Sequence, residues 1–155
     1  MNESDAGKAP EARRHPGGAP ASPAAEAHVP IRSDRDILEA RQKGRTLAAE
    51  LGFTSTGLTM VATAISELAR NIVLYARRGE IVLGRIEENG RKGVVVMARD
   101  EGPGIPDIDL AMQSGYSTSG SLGLGLPGVR RIMDEFSIVS EVGKGTSVTA
   151  KKWKP

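Results

Sequence analysis

The spacing of apolar residues changes along this sequence near Gly79, and that change limits the folds open to it. Between Ile37 and Val73 apolar side chains recur every three or four residues, which is typical of amphipathic helices. Beyond Gly79 they come in short runs bounded by turn-forming residues, which is typical of strands. The sequence therefore predicts two early helices followed mainly by β-hairpins.

The two predicted helices have recognisable ends. Ser33 is a candidate N-cap, with Asp36 in the place that Glu usually takes in a capping box. Gly52 ends the first helical pattern, and the second begins at Ser55 or the residue after it. Gly79 is expected to stop the second helix, since glycine commonly follows a helix C-terminus.

Strand patterns fill most of the remaining sequence. Asn89-Gly90, a strong hairpin signal, separates the two clearest runs, and Gly143-Lys144-Gly145 separates another pair. This order favours an α+β fold, a two-layer α/β sandwich whose mixed, mostly antiparallel sheet is covered by helices on one face. The predicted strands are 28–31, 80–88, 93–99, 136–142 and 146–153, with a third helix at 124–135.

The first 28 residues differ from the rest of the chain. Ala, Pro and Gly fill 16 of the first 30 positions. Such a composition buries too little apolar surface to offset the entropy lost on ordering. We therefore expect a disordered leader at 1–28, either a passive tail or a docking arm, and a single folded domain at 29–155.

Composition excludes several classes of function. The chain has no cysteine, so disulfides and thiolate metal sites are ruled out; this fits a reducing compartment, and we expect a cytoplasmic protein. A net charge of +2 and five aromatic residues give no reason to expect nucleic-acid binding. No apolar run is expected to span a membrane, because a membrane-spanning helix needs about 20 apolar residues. The sequence leaves the oligomeric state undetermined.

Glu67 and Asn71 are the first candidate site residues. They lie four residues apart, hence on one face of the second predicted helix. A largely buried carboxylate and carboxamide need partners. One interpretation is a divalent cation held by the Asn71 oxygen, with Glu67 orienting a nucleophile or accepting its proton. The alternative is a polar helix face in which Arg70 pairs with Glu67.

A second candidate segment follows the buried strand that ends near Asp100. Gly102 and Gly104 permit tight turns and the close approach of a flat ligand. A carboxylate at this place can accept a hydrogen bond from an exocyclic amine such as that of adenine. The alternative is a plain turn after a strand.

The third candidate is a glycine-rich stretch at 123–128, just before the third predicted helix. Backbone N–H groups at the start of a helix suit phosphate. The stretch also matches the G-x-G-x-x-G dinucleotide fingerprint, but that motif should directly follow a strand, and here a Ser/Thr/Gly loop precedes it. No Gly-Lys-Ser/Thr follows a four-residue gap, so a Walker A motif is absent.

The loop at 115–121 is either a closing lid or an ordinary surface loop.

Taken in order, these motifs resemble the GHKL ATPase superfamily, which includes histidine kinases, gyrase and anti-sigma kinases. The resemblance rests on Glu67-x-x-x-Asn71, Asp100-x-Gly102-x-Gly104, Gly123-x-Gly125 and Gly143-x-Gly145-Thr146. It implies the Bergerat fold, ATP under a lid, magnesium at Asn71 and Glu67 as the base. It also implies nucleotide contacts from the following residues: Arg70, Asn71, Asp100, Gly102, Gly104, Ile105, Ser117, Thr118, Ser119, Gly123, Leu124, Gly125, Leu126 and Thr146.

Segments 40–42, 66–76, 115–120, 126–129 and 133–136 are similar more specifically to the RsbT branch of the superfamily. That branch contains serine/threonine switch kinases of bacterial stress signalling. The resemblance implies a STAS-domain substrate in a stressosome and, after release, activation of a PPM-type phosphatase. The alternatives are an anti-sigma factor kinase and a phosphatase-activating module without catalysis.

Overall fold

The computed structural model describes residues 25–113 and 125–155. In chain order the elements are strand β1 (Ala25–Ile31), helix α1 (Asp34–Glu50), helix α2 (Ser55–Asn71) with a π-helical turn (Ile72–Ala76), strands β2 (Gly79–Glu88) and β3 (Arg91–Asp100), helices α3 (Ile108–Ala111) and α4 (Gly125–Ile132), and strands β4 (Glu135–Glu141) and β5 (Gly145–Trp153). The α+β class predicted from the sequence is confirmed.

The described strands form one sheet in the order β1-β2-β3-β5-β4. Each neighbouring pair is antiparallel, so the expectation of a mixed sheet is wrong. The reason lies in the connections. Two tight hairpins join β2 to β3 and β4 to β5, and the paired helices α1 and α2 carry the chain away from β1 and back again. An antiparallel neighbour needs no single-helix crossover of the kind that joins parallel strands.

The helices cover one face of the sheet, as predicted. Alternate residues along the strands point toward α1, α2 and α4, because successive side chains of a strand lie on opposite faces. These side chains and the apolar stripes of the helices form one core cluster. The strand residues in it are Val29, Ile31, Ile81, Leu83, Val94, Val96, Ala98, Val148 and Ala150.

The predicted start of α1 is confirmed by its hydrogen bonds. A carboxylate oxygen of Asp36 accepts from the backbone N–H of Ser33 (3.1 Å) and from that of Arg32 (2.8 Å). Ser55 is the first residue of α2, and the Thr54 hydroxyl caps it by accepting from the N–H of Gly57 at 3.2 Å. Both helices therefore begin where their capping residues predict.

The end of the second helix differs from the prediction. The π-helical turn extends α2 to Ala76, and the chain leaves it at Arg77, whose φ is +74°. Gly79 is already the first residue of β2. A methyl group at Gly79 would lie 2.3 Å from the backbone oxygen of Arg99, so glycine is needed there for close strand packing and not as a helix stop.

The first hairpin forms as the sequence indicates, and the later elements are shifted. Asn89 and Gly90 have φ of +54° and +80°, which is typical of a type I′ turn. The predicted loop at 100–123 contains the short helix α3, capped by the Asp107 carboxylate, which accepts from Leu110 N–H at 3.0 Å. Helix α4 ends at Ile132, three residues early, and β4 begins at Glu135.

Strand β1 begins at Ala25 and so includes 25–28, which the sequence analysis assigned to the leader. The extra residues are held by backbone pairing to β2 and by Glu26, which accepts a hydrogen bond from Arg85 at 2.5 Å. Arg85 also donates to Glu50 of α1 at 2.7 Å. These two carboxylates raise the pKa of Arg85. Residues 1–24 lie outside the described part, so the leader itself stays a prediction.

One helical run among the described residues, Ser55–Ala76, is long and apolar enough to cross a membrane by length and composition alone. The sequence analysis found no such run. Half of its most apolar window is buried inside the protein, and α2 supplies much of the core cluster. The run is accounted for as the central helix of the core.

The capping contacts of Asp36 give a test of the fold. Asp36→Ala is expected to lower the free energy of unfolding by about 0.5–2 kcal/mol, because two backbone N–H groups at the start of α1 lose their acceptor. Asp34→Ala is the control, since it removes an acid from the same helical turn without touching those hydrogen bonds. Urea denaturation measures both. Equal losses in the two variants would contradict the capping role.

Candidate functional site

A cavity of about 430 Å³ opens at one end of the sheet, a size typical of small-molecule sites. Its walls come from α2 and the π-helical turn, the end of β3, the loop at 103–107, the start of α4 and strand β5. The segments are far apart in the sequence, so only the folded chain brings them together. Nine of the predicted site residues line it: Glu67, Arg70, Asn71, Asp100, Gly104, Ile105, Gly125, Leu126 and Thr146.

The remaining predicted site residues fall into two groups. Gly102 lies behind the cavity wall, where an added Cβ would come 2.6 Å from the Cβ of Ala76. Five others, with the predicted lid, lie outside the described residues, so their roles stay predictions. They are Ser117, Thr118, Ser119, Gly123 and Leu124.

Glu67 connects two walls of the cavity. Its side chain is buried, with 7% of the residue exposed. One carboxylate oxygen accepts from Arg70 at 3.1 Å, and the other accepts from the backbone N–H of Gly125 at 3.2 Å. The ion pair with Arg70 that the sequence left as an alternative is therefore present. It coexists with a carboxylate that faces the cavity.

Asn71 lies one helical turn beyond Glu67 and also lines the cavity. It is the last residue of α2 before the π-helical turn. That turn shifts the helix surface so that Leu74, Tyr75 and Ala76 join the cavity wall, and Leu74 and Tyr75 are each about half exposed. The sequence analysis missed these three residues, because their spacing continues the ordinary helical pattern.

Asp100 and Thr146 face the cavity from neighbouring strands. They are direct partners in the β3–β5 register, so their side chains lie on the same face of the sheet. One Asp100 oxygen accepts from the N–H of Gly102 at 2.9 Å, and the other accepts no hydrogen bond from the described residues. A carboxylate acceptor and a hydroxyl therefore stand side by side at this end of the cavity.

The loop after β3 is held against the β4–β5 hairpin. Gly143 donates its N–H to the carbonyl of Pro103 at 2.8 Å. Gly104 has a φ of +80°, and an added Cβ would come 2.4 Å from the carbonyl oxygen of Glu141. Only glycine allows this conformation together with this contact. The second glycine of the predicted Asp-x-Gly-x-Gly motif is thus required by backbone packing.

A residue that the sequence analysis missed lies between the loop and the hairpin. The Ser140 hydroxyl accepts from the N–H of Ile105 at 2.7 Å and lies 2.8 Å from the hydroxyl of Thr146. It also lies 3.2 Å from the carbonyl oxygen of Gly145. No sequence motif marks Ser140, since the contact to Ile105 spans 35 positions.

The two ends of the cavity differ in chemistry. One end has Glu67, Arg70, Asn71 and the N-terminus of α4, whose helix dipole favours an anion. The other end has Asp100 and Thr146 among apolar walls. No group of three or more His, Cys, Asp or Glu side chains suited to a metal occurs in 25–113 and 125–155. A cation here would use Asn71 and oxygens of the ligand.

Comparison with known proteins agrees with this geometry. Residues 58–155 match the family model described as histidine kinase-, DNA gyrase B- and HSP90-like ATPase. The serine/threonine-protein kinase RsbT of Bacillus subtilis (strain 168) is 54% identical over 125 residues, covering 81% of this chain and 94% of that protein. An anti-sigma F factor of Geobacillus stearothermophilus is 36% identical over 120 residues, covering 73% of this chain and 81% of that one.

Two solved structures share the fold. The RsbU and RsbW domains of Rv1364c from Mycobacterium tuberculosis align with a TM-score of 0.55 and 21% identity, covering 88% of this chain and 34% of that chain. The SiaB–SiaC complex from Pseudomonas aeruginosa aligns with a TM-score of 0.52 and 14% identity, covering 99% of this chain and 98% of that chain. At these identities the likeness shows the fold alone.

Two glycines of similar conformation test the packing of the loop on the hairpin. Gly104→Ala is expected to destabilise the protein by about 1–3 kcal/mol more than Gly143→Ala, because it adds an overpacking cost to the backbone strain. Gly143 has a φ of +84° but nothing within 4 Å of an added Cβ, so it carries the strain alone. Chemical denaturation of both variants measures the difference. Equal destabilisation would show that the loop does not depend on this contact.

Proposed function

Because the chain belongs to the histidine kinase-, DNA gyrase B- and HSP90-like ATPase family and is a serine/threonine-protein kinase of the RsbT type, we propose that it phosphorylates a STAS-domain protein. We also propose that, once released from that substrate, it activates a PPM-type phosphatase. The observation that carries the proposal is the convergence of Glu67, Asn71, Asp100 and Thr146 on one cavity.

Use of ATP is common to this family, and the cavity fits a ligand with a flat polar end and an anionic end. We assign the adenine to the end with Asp100 and Thr146, where a carboxylate can accept from the N6 amine. We assign the phosphates to the N-terminus of α4, where Gly125 and Leu126 begin the helix. Gly123, Leu124 and the lid residues Ser117, Thr118 and Ser119 are proposed to complete this end.

Magnesium is proposed to bind through the Asn71 carboxamide oxygen. Magnesium typically takes one or two protein ligands and completes its shell with phosphate oxygens and water. A single carboxamide oxygen next to the proposed phosphate position matches this coordination better than a cluster of acidic side chains would. When bound, the ion would neutralise charge that develops on the transferred phosphoryl group.

Glu67 is proposed to align the acceptor hydroxyl and to accept its proton. Its position between Arg70 and Gly125 supports this role, because both contacts hold the carboxylate at the cavity wall. The N–H of Gly125 is also a proposed phosphate donor, so Glu67 and a phosphate oxygen compete for it. Arg70 would then keep Glu67 oriented after the contact with Gly125 is lost, while the oxygen released turns to the hydroxyl.

The STAS-domain substrate and the stress-signalling role are proposed from the relationship to RsbT. The competing candidate is an anti-sigma factor kinase, which the 36% identity to an anti-sigma F factor supports. The 54% identity to RsbT favours the first candidate. Pull-down with purified STAS-domain and sigma-factor partners separates the two. We place the protein in the cytoplasm, where such partners work.

The transfer mechanism is tested with radiolabelled ATP and a STAS-domain partner from the same source. Glu67→Gln keeps the size of the side chain but removes the base, so phosphorylation is expected to slow by about 10²- to 10⁴-fold. ATP binding, measured by calorimetry, is expected to persist. Glu87→Gln is the matched control, because Glu87 is exposed at the opposite end of β2 from the cavity. Full activity in Glu67→Gln would rule out this mechanism.

Phosphatase activation is tested separately from catalysis. If activation is a docking event, Glu67→Gln should stimulate the PPM-type phosphatase as strongly as the unaltered protein does, because the change is confined to a buried side chain. The measurement is phosphatase turnover against increasing amounts of each protein. Loss of stimulation together with loss of kinase activity would show that activation requires phosphoryl transfer.

A further inference from the structure

Charge is unevenly distributed around the cavity. Among the described residues that line it, the carboxylates are those of Glu67, Asp100 and Asp107, and the one cationic side chain is that of Arg70. Residues 114–124, which include the predicted lid and the start of the glycine-rich stretch, contain no Lys or Arg in the sequence. Arg70 is therefore the one positive side chain that these parts of the chain offer to a ligand.

A nucleoside triphosphate makes this imbalance costly. Its phosphates are anionic, and magnesium neutralises only part of their charge. Bringing an anion into a cavity whose wall carries three carboxylates costs free energy unless a cation compensates. Sites of phosphoryl transfer commonly meet this need with Lys or Arg side chains as well as metal ions. The proposed phosphate end requires such a cation, and Arg70 lies there.

The contacts of Arg70 leave most of its guanidinium available. One N–H group, at Nη1, donates to Glu67 at 3.1 Å, and the described residues provide no second acceptor for this side chain. A guanidinium carries five N–H donors in a planar fork. The side chain of Arg70 is 40% exposed, whereas that of Glu67 is 9% exposed. The remaining donors are thus open to a ligand in the cavity.

Glu67 places this cation beside the proposed phosphate position. Its other carboxylate oxygen accepts from the N–H of Gly125 at 3.2 Å, and that N–H is the proposed phosphate donor. One carboxylate therefore separates the guanidinium of Arg70 from the N–H of Gly125. When a phosphate oxygen takes the N–H, it and Glu67 become neighbouring anions. A guanidinium that contacts both of them lowers their repulsion.

We propose that Arg70 is a catalytic residue that contacts the γ-phosphoryl group, so that it favours ATP over ADP and stabilises the transfer. The inference rests on the proposed function, in which Arg70 otherwise only orients Glu67. In the transfer the acceptor oxygen bonds to the γ-phosphorus as the bond from phosphorus to the β–γ bridging oxygen breaks. ADP leaves with that electron pair, and the hydroxyl proton passes to Glu67. Arg70 neutralises charge on the oxygens of the moving group.

The first test compares the binding of ATP and ADP, each with magnesium, by titration calorimetry without a partner protein. Arg70→Gln is expected to weaken ATP binding by about ten- to hundredfold, the worth of a hydrogen bond between charged groups, and ADP binding by less than about twofold. Arg70→Lys keeps the charge but loses the planar fork, so its preference for ATP should lie between those of Arg70→Gln and the unaltered protein.

Arg99→Gln is the matched control for this comparison. Arg99 also pairs with a glutamate, Glu80, at 3.6 Å and is partly exposed. It precedes Asp100 on β3, so its side chain lies on the opposite face of the sheet from the cavity. Its removal should change neither the affinity for ATP nor that for ADP.

A second comparison separates a direct phosphate contact from an effect through Glu67. In the Glu67→Gln background, Arg70→Gln should reduce the preference for ATP over ADP by at least the same factor, because the contact does not pass through the carboxylate. The double variant leaves no buried carboxylate without its cation, so it carries the comparison if Arg70→Gln alone does not fold. With ATP at saturation, Arg70→Gln should slow phosphoryl transfer to the STAS-domain partner by about 10²- to 10³-fold.

The outcomes separate this inference from the proposed function. An unchanged preference for ATP in Arg70→Gln would overturn the inference and leave the proposed function intact, because the compensating cation would then come from elsewhere, such as the partner. A preference that Arg70→Gln lowers only while Glu67 is present would overturn it too, since Arg70 would then act by holding Glu67. So would an unchanged transfer rate at saturating ATP. If the unaltered protein bound no ATP, both the inference and the proposed function would fall.

Discussion

The site depends on the close approach of three backbone segments around the end of β3. A methyl group at Gly79 would lie 2.3 Å from the carbonyl oxygen of Arg99, and one at Gly145 would lie 2.1 Å from that of Asp100. Gly102 makes a similar approach to the π-helical turn at Ala76. Without side chains at these glycines, β2, β3 and β5 come together tightly enough to place Asp100 beside Thr146. The glycines serve the ligand indirectly, by letting the walls of the cavity meet.

The second constraint is the position of Glu67 between α2 and α4. A buried carboxylate is costly unless hydrogen bonds and charge compensate for its lost hydration. Arg70 supplies the charge and Gly125 N–H supplies a donor from the other wall. In the proposed mechanism the same N–H would donate to a phosphate, so phosphate binding would release one oxygen of the carboxylate. The contact that stabilises buried Glu67 in the fold is thus the one that the proposed reaction would break.

Much of the fold could be predicted from local signals. Asp36 marked the start of α1, Asn89-Gly90 marked the hairpin, and the spacing of Glu67 and Asn71 gave a shared helix face. The errors occurred where tertiary packing decides at which residue a helix or strand ends. Helix α2 continues through a π-helical turn to Ala76, and strand β1 reaches Ala25 because β2 pairs with it. Neither feature leaves a periodic signal in the sequence.

The candidate site shows the same contrast between features that local sequence signals predict and features that tertiary packing decides. Polar residues that line the cavity, such as Asp100 and Asn71, could be predicted by type and spacing. Residues held by contacts between distant parts of the chain could not, and Ser140 is the clearest case. Its hydroxyl accepts from the N–H of Ile105 and lies 2.8 Å from the hydroxyl of Thr146. Nothing in the local sequence marks this serine, because the fold brings both neighbours to it.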